Sequence, residues 1–246
     1  MQNVIRINKY LAGRGVAARR KVDKLIEEGK ISVNGKTAVL GQKIDVMKDV
    51  VLMDGRLITG GTEKLHDGTE GHTYIILNKP RGVVSSALDT HGRKTVVDLV
   101  NAGKRLYPVG RLDVESEGLI LLTNDGELTH HLMHPKFHVA KTYVVKFLGK
   151  VSENKINVMR NGVTLREGKT APADVKVVKS AGNTLEIVLF EGKNRQIRKM
   201  AEVLHLHILN LKRVAIGNVQ LGGLEVSKWR NLTAEESGAL KKAAGL

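Results

Sequence analysis

The stretch GRLDVESEGLILLTNDG, residues 110–126, places an Arg-Leu-Asp triplet before an almost wholly aliphatic run. Its aliphatic run predicts a buried β-strand, and Asp125 after that run predicts a turn or a helix cap. Asp113 precedes the strand in a loop bounded by glycines, close to Arg111. An acid in a loop usually has no special role. An arginine beside it, however, favours the ionised form, which can act as a nucleophile or a base.

Two further acids lie in the same stretch. Glu115 and Glu117 could form the carboxylate pair of a glycoside hydrolase, but the net charge disfavours a glycosidase, so we discount this pair. The sequence also has no P-loop motif and no GxGxxG motif after a strand. Asp113 is therefore the candidate catalytic acid of this segment.

Outward from this strand, strand and helix patterns alternate irregularly. Strand patterns occur at 74–79, 142–148, 184–190 and around 211–221, and helix patterns occur at 94–101, 126–134, 152–162, 194–205 and after Thr233, which forms a capping box with Glu236. Regular βαβ alternation would indicate a doubly wound sheet, and it is missing here. The sequence therefore predicts an α+β fold with a mixed, mostly antiparallel central sheet.

Residues 1–60 predict a separate, small α/β domain that binds RNA. Helix patterns at 6–15 and 17–30 precede a hairpin at 31–38, whose Asn34-Gly35 pair suits a tight turn. Residues 61–72, rich in Gly, Thr and charge, predict a linker to a larger domain at 73–246.

Basic residues cluster at the start of the second helix of this small domain. A run of charge is usually a solvated helix face, but backbone N–H groups at a helix start favour phosphate, and the whole chain is basic. The residues of this predicted RNA contact are Arg19, Arg20, Lys21 and Lys24.

The composition favours a polyanionic partner. The chain has 40 Lys plus Arg against 25 Asp plus Glu, a formal net charge of +15 in 246 residues. No apolar stretch has transmembrane length and the N-terminus does not resemble a signal peptide, so no membrane partner is expected. Cysteine is absent, which fits the reducing cytoplasm. Aromatic residues make up only 3%, so phosphate contacts should carry most of the affinity for RNA.

Two other segments each have a structural and a functional interpretation. Residues 191–205 predict a helix with an apolar stripe and with basic residues off that stripe, one of which could hold a carboxylate. His130 and His134 lie one helical turn apart and could share a metal ion, but no acid or thiol stands at a supporting spacing. We therefore expect no metal site. The histidine segment is expected to be structural or to face RNA.

Several blocks, in the same order along the chain, are similar to one family. They resemble the RsuA/RluB-type ribosomal RNA pseudouridine synthases, and residues 7–35 resemble the RNA-binding module named after ribosomal protein S-four. The blocks are NKPRGVVSS (78–86), YPVGRLDVESEGLILLTNDGEL (107–128), HPKFHVAKTY (134–143), EGKNRQIRKM (191–200) and LKRVAIG (211–217).

This resemblance implies the pseudouridine-synthase fold and an isomerase that needs neither cofactor nor metal. Such an enzyme flips one uridine out of ribosomal RNA, breaks its N-glycosidic bond and rejoins the uracil through carbon. The resemblance makes Asp113 the essential aspartate, Arg198 its partner and Tyr143 the residue that stacks on the uracil. Arg111 would hold the flipped-out RNA. The other cations expected to contact RNA are Lys79, Arg81, Lys193, Arg195 and Lys199.

The resemblance has one departure near the predicted site, because Ser116 stands where threonine is common. Large-subunit (23S-type) RNA is preferred as the substrate, small-subunit (16S-type) RNA stays open, and a monomer is expected. One alternative is a non-catalytic RNA-binding factor for ribosome assembly, which would not need Asp113, Tyr143 and Arg198 together. A nucleoside hydrolase is a second alternative, disfavoured by the net charge.

Overall fold

The computed structural model describes residues 4–59, 72–178 and 182–246. The chain divides into two compact units, Met1–His72 and Thr73–Leu246. The predicted linker, 61–72, lies outside the described residues except for His72. In the described ranges, none of the helices has the length and the apolar character needed to cross a bilayer.

The first unit contains two helices and two small sheets in its described part. The elements are β1 Val4–Arg6, α1 Ile7–Gly13, α2 Arg19–Glu27, β2 Ile31–Val33, β3 Lys36–Thr37, β4 Lys43–Asp45, β5 Val51–Met53 and β6 Arg56–Thr59. Strands β3, β2, β5 and β6 form an antiparallel sheet in that order, and β1 pairs with β4.

The apolar faces of its two helices close over the sheet. Leu11 of α1 and Val22 of α2 are fully buried, and both belong to one core with Ile31 of β2. The predicted hairpin is confirmed, because Asn34 and Gly35 have φ angles of 50° and 77° at the turn between β2 and β3. This packing leaves the basic side of α2 facing solvent.

The second unit is built around one large sheet. Its elements are β7 Tyr74–Lys79, α3 Val96–Val100, β8 Tyr107–Val109, β9 Glu117–Thr123, α4 Gly126–Met133, a 3-10 helix Pro135–Phe137, β10 Lys141–Phe147, α5 Glu153–Asn161, β11 Thr164–Leu165, β12 Gly168–Lys169, β13 Asp174–Val177, β14 Thr184–Leu189, α6 Gln196–Val203, β15 Ile208–Ile216, β16 Val219–Gln220, β17 Trp229–Asn231 and α7 Ala234–Ala243.

The large sheet is mixed and mostly antiparallel, which confirms the predicted fold class. Its main path runs β13-β14-β10-β15-β9-β7-β17, while β16 pairs with β15 and β8 pairs with β9. Among the described strands the pairs are antiparallel except β9 with β15, which meet in parallel at Glu117↔Lys212 and Gly118↔Arg213. Separately, β11 and β12 form a two-stranded hairpin.

Gly118 makes this parallel contact possible. Its φ is 106°, and a Cβ atom at this position would lie 2.2 Å from the Arg213 carbonyl oxygen. A side chain there would push β15 away from β9. The glycine of the SEGL segment thus fixes how closely the strand after the Asp113 loop approaches β15.

Neighbouring residues of β7 and β9 enter different cores, as expected for strands buried on both faces. Ile75 and Ile120 pack with α3, whereas Ile76 and Leu121 pack with α4 and α7. A third core joins β10 and β14 to α5 and α6. Tyr143 packs against both the α3 core and the α6 core, so it lies where these two cores meet.

The capping predictions are also confirmed. Asp125 caps α4, because its Oδ1 accepts hydrogen bonds from the N–H groups of Glu127 and Leu128, at 3.1 and 2.9 Å. Thr233 and Glu236 form both bonds of the predicted capping box before α7. The sequence patterns did not reveal the shortest strands, such as β8, β11, β12 and β17, because two or three residues carry no periodicity.

Candidate active site

A tight turn before β9 carries Asp113. The Ser116 N–H donates to the Asp113 carbonyl oxygen at 3.0 Å, and the Gly82 N–H donates to the Val114 carbonyl oxygen at 2.8 Å. The first bond closes the turn and the second ties it to the loop that follows β7. The Asp113 side chain is 29% exposed, so the turn presents a partly accessible carboxylate.

Two arginines approach the same oxygen of this carboxylate. Arg198 Nε lies 3.4 Å from Asp113 Oδ2, and Arg195 Nη1 lies 3.6 Å from the same atom. Each arginine makes its closest approach to Oδ2 rather than to Oδ1. The predicted pairing of Asp113 with Arg198 is therefore present, and Oδ1 is the carboxylate oxygen better placed for another partner.

Arg198 projects from the first turn of α6 and its side chain is only 18% exposed. Its Nη2 donates to the Ser116 hydroxyl at 3.0 Å, and its Nη1 lies 3.6 Å from a Glu115 carboxylate oxygen. The predicted apolar stripe of α6 holds it in place, because Ile197 and Met200 are buried. Arg198 thus sits at the edge of that stripe, half in the core and half at the site.

Arg195 reaches Asp113 from an uncommon backbone conformation. It is the N-cap of α6 with φ 52° and ψ 33°, in the left-handed region. Its side chain is 45% exposed. The sequence predicted an RNA contact here but not the ion pair with Asp113, because the pairing depends on this left-handed turn.

Tyr143 of β10 lines a cavity of about 80 Å³ together with Asp113 and Arg198. Leu189 and Gln196 complete other parts of its wall. A flat ring beside an acidic side chain, with apolar side chains around it, can hold a planar base by stacking.

A second cavity of about 240 Å³ adjoins the Asp113 turn. It is lined by Val84, Ser85, Val114 and Glu115, and it shares Arg111 and Arg195 with the first cavity. The predicted RNA contact Arg111 is exposed between the two cavities. Both cavities therefore open beside cationic side chains, which suits an anionic chain crossing the site.

Lys79 lies near the predicted site, beneath the Asp113 turn, and not at the surface where RNA could reach it. The side chain is fully buried, and its Nζ donates to the carbonyl oxygens of Pro80 and Ser116 at 2.9 and 2.8 Å. Burial lowers the Lys79 pKa to about 8, against the opposing effect of the Asp113 charge. Because the Lys79 ammonium group is buried and donates to backbone carbonyl oxygens, the structure does not support the prediction that it contacts RNA.

Three other predicted RNA contacts are at least partly accessible and have partners within the protein. Arg81 Nη2 donates to the Leu209 carbonyl oxygen at 2.9 Å and to Asn210 Oδ1 at 3.0 Å. Lys193 Nζ donates to the Lys169 carbonyl oxygen at 2.8 Å, and Lys199 pairs with Glu167. Their contacts with RNA stay a prediction.

The basic residues of α2 are all exposed, as a phosphate-binding surface requires. They follow Ala18, an N-cap whose side chain makes no capping hydrogen bond, so N–H groups at the helix start are open to a ligand. The exposed residues are Arg19, Arg20, Lys21 and Lys24.

The histidine segment is bound into the fold through one of its members. His131 Nδ1 lies 2.7 Å from the Ala244 carbonyl oxygen, and its ring stacks on Phe137 with centroids 4.0 Å apart. In the part of the chain that the structure describes, no group of three or more His, Cys, Asp or Glu residues is placed to hold a metal ion. His131 therefore links α4 to the end of α7.

Sequence reasoning missed two serines of the site. The Ser85 hydroxyl donates to the Leu112 carbonyl oxygen at 2.8 Å and accepts from the Leu112 N–H at 3.1 Å. Ser116, noted only as a departure from threonine, holds Arg198. The position of Ser116 three residues after Asp113 was the available signal, since a tight turn brings such residues together.

Comparisons with known proteins identify the family of this chain. A family model described as RNA pseudouridylate synthase matches residues 73–203, and an S4 domain model matches residues 5–51. The chain is 40% identical over 245 residues to the ribosomal large subunit pseudouridine synthase B of Bacillus subtilis, covering 97% of this chain and 96% of that protein. It is 38% identical over 232 residues to the dual-specificity RNA pseudouridine synthase RluF of Escherichia coli K12, covering 94% and 77%.

A solved structure, a crystal structure of a pseudouridylate synthase, has a TM-score of 0.67 and 30% sequence identity, with 96% of this chain and 99% of that chain covered. The fold, the acid with its two arginines and the tyrosine beside them occur here in a chain that matches these proteins over nearly its whole length. The chain belongs to the RNA pseudouridylate synthase family.

Proposed function

We propose that this isomerase converts one uridine of ribosomal RNA to pseudouridine, with Asp113 as the group that acts on the ribose. The observation that carries the proposal is the Asp113 carboxylate, whose Oδ2 lies near two guanidinium groups and which lines one cavity together with Tyr143. The B. subtilis relative named for the large ribosomal subunit supports 23S-type RNA as the preferred substrate, before 16S-type RNA.

The reaction breaks the bond between uracil N1 and ribose C1′ and forms one between uracil C5 and C1′. Asp113 Oδ1 would either attack C1′ or remove a proton from the neighbouring ribose carbon. The released uracil rotates, its C5 bonds to C1′, and the proton on C5 then leaves while N1 gains one. The product is an isomer of the substrate, so no electrons are gained or lost overall, and the proposed steps use no cofactor and no metal.

The arginines would stabilise the negative charge that develops as the glycosidic bond breaks. Arg198 would also orient Asp113, and Tyr143 would stack on the uracil and assist the loss of the C5 proton. Arg111, exposed between the two cavities, would hold the flipped-out RNA. Flipping costs a few kcal/mol and is least costly in looped or weakly paired RNA, which should therefore contain the target.

Residues 1–60 would anchor the RNA through the basic start of α2, and residues 73–246 would carry out the chemistry. The S4 domain match over residues 5–51 supports this division. A monomer would suffice, because the side chains assigned to the chemistry all come from one chain. With ribosomal RNA as its substrate, the protein would act in the cytoplasm.

Tritium release tests this proposal. Transcripts of large- and small-subunit ribosomal RNA, labelled with tritium at uracil C5, are incubated with the protein. We expect one tritium released per large-subunit transcript and one new pseudouridine when the product is mapped chemically. Release from neither transcript would contradict the function, and release from the small-subunit transcript alone would contradict the substrate preference.

A further inference from the structure

We propose that Ser116 is the positioning residue that keeps one oxygen of Asp113 free for the ribose. This inference rests on the proposed function of the same site. Ser116 lies on the turn that carries Asp113, and it is 1% exposed. Its hydroxyl oxygen accepts a hydrogen bond from Arg198 Nη2 at 3.0 Å.

Ser116 is itself held rigidly by its backbone. Its N–H donates to the Asp113 carbonyl oxygen at 3.0 Å, and its own carbonyl oxygen accepts from the buried Lys79 Nζ at 2.8 Å. These two bonds hold the Ser116 backbone in the same turn that carries Asp113. A contact of Arg198 with Ser116 therefore sets where the guanidinium lies relative to Asp113.

The guanidinium nitrogen that contacts Ser116 determines how Arg198 can bind Asp113. Nε and Nη2 of an arginine lie on one edge, and this edge can bind both oxygens of a carboxylate as a fork. Here Nη2 is taken by Ser116, and Nε faces Asp113 Oδ2 at 3.4 Å. Arg198 Nε is buried and, among the described residues, it has no partner at hydrogen-bond geometry.

Ser116 therefore prevents the two-pronged ion pair that an arginine and an aspartate would otherwise form. Without the Ser116 hydroxyl, Arg198 could turn so that its Nε and Nη2 both face Asp113 and bind both carboxylate oxygens. A carboxylate bound in this way is stabilised in the ground state and has no free oxygen aimed at the substrate. The site would keep its charges and lose its reactive geometry.

Ser116→Ala removes the hydroxyl, and Ser116→Thr keeps it as the matched control. We expect Ser116→Ala to lower kcat on labelled ribosomal RNA by roughly 10- to 100-fold while KM changes less than about twofold. Ser116→Thr should stay within about threefold of the wild type. Ser116→Cys, similar in size and a weak acceptor, should behave like Ser116→Ala and replaces it if the alanine variant does not fold.

A signature outside activity follows the contact itself. The Nε–H signal of Arg198 in an NMR spectrum, assigned by its loss in Arg198→Lys, should shift in Ser116→Ala and Ser116→Cys but not in Ser116→Thr. An unshifted signal, or a kcat within twofold of the wild type in a folded alanine variant, would overturn the inference. Failure of the wild type to release tritium would instead overturn the proposed function, and the NMR shift would still test the contact.

Discussion

The two ends of β9 each carry an aspartate, and the two are used differently. Asp125, after the strand, is 4% exposed; its Oδ1 accepts two backbone N–H groups, and its Oδ2 accepts the Tyr74 hydroxyl at 2.7 Å. Asp113, before the strand, is 29% exposed. Its nearest charged atoms are guanidinium nitrogens of Arg198 and Arg195, which lie 3.4 and 3.6 Å from Oδ2. A fully bonded acid stabilises the fold, whereas an acid with an open oxygen is available for chemistry.

The largest expected effect comes from lengthening the acid before the strand. Asp113→Glu keeps the charge but moves the carboxylate by one methylene, so kcat should fall by about 100-fold or more. RNA affinity should change little, because the surrounding arginines remain. Single-turnover tritium release at saturating protein measures this. Unchanged kcat would mean that the position of the Asp113 oxygen does not matter, which would contradict the different roles of Asp113 and Asp125.

The two arginines of Asp113 should differ in importance. Arg198→Lys should lower kcat by about 10- to 100-fold, because a lysine cannot contact Ser116 and Asp113 with one planar edge. Arg195→Lys should cost less than about tenfold, since this side chain is 45% exposed and exposed ion pairs contribute little. Both are measured as kcat at saturating RNA. The reverse order would assign the dominant contact to Arg195.

Removing the acid after the strand should affect stability and leave chemistry intact. Asp125→Ala deletes the cap of α4, which costs about 0.5–2 kcal/mol of unfolding free energy, and it also leaves the Tyr74 hydroxyl without this acceptor. Urea unfolding measures the loss, and kcat of the folded protein should stay within about twofold. A fall of kcat comparable to that of Asp113→Glu would show that the two acids are not separated in role.

The last effect is a pH dependence of stability, and it concerns the buried lysine under the Asp113 turn. Burial lowers the pKa of both Lys79 and Lys141 to about 8, from 10.5. Between pH 8 and 10 the unfolded chain binds these protons and the folded chain does not, so stability should rise with pH, by at most about 1.4 kcal/mol per pH unit for each lysine. Lys79→Met should remove its share of this slope in urea unfolding, whatever it does to stability at pH 7. An unchanged slope would mean that Lys79 stays charged in the fold.

Much of the fold follows from local sequence patterns. The strand after Asp113, the α6 stripe and the Thr233 cap could be predicted because each is encoded within one turn or one strand. The site could be predicted only where a motif named its residues, as for Asp113 and Arg198. Contacts between segments distant in sequence, such as Ser85 with Leu112, leave no periodic signal.

The sequence around Lys79 contains a pattern that indicates a buried position. Lys79 follows Ile75 and Leu77 at a spacing of two, and in the structure these two residues enter the α3 core. The alternation therefore placed Lys79 on a buried face, where a lysine must find carbonyl oxygens. Arg195 had no such signal, because a left-handed backbone at a non-glycine residue is set by tertiary context.

The most direct test of the central claim places the two aspartates side by side. Asp113→Asn and Asp125→Asn are each measured for tritium release from labelled ribosomal RNA, for RNA affinity and for urea unfolding. We expect that Asp113→Asn releases no tritium above background while it binds RNA and unfolds like the wild type, and that Asp125→Asn releases tritium at nearly the normal rate. Full tritium release by Asp113→Asn would show that the reaction does not need the Asp113 carboxylate.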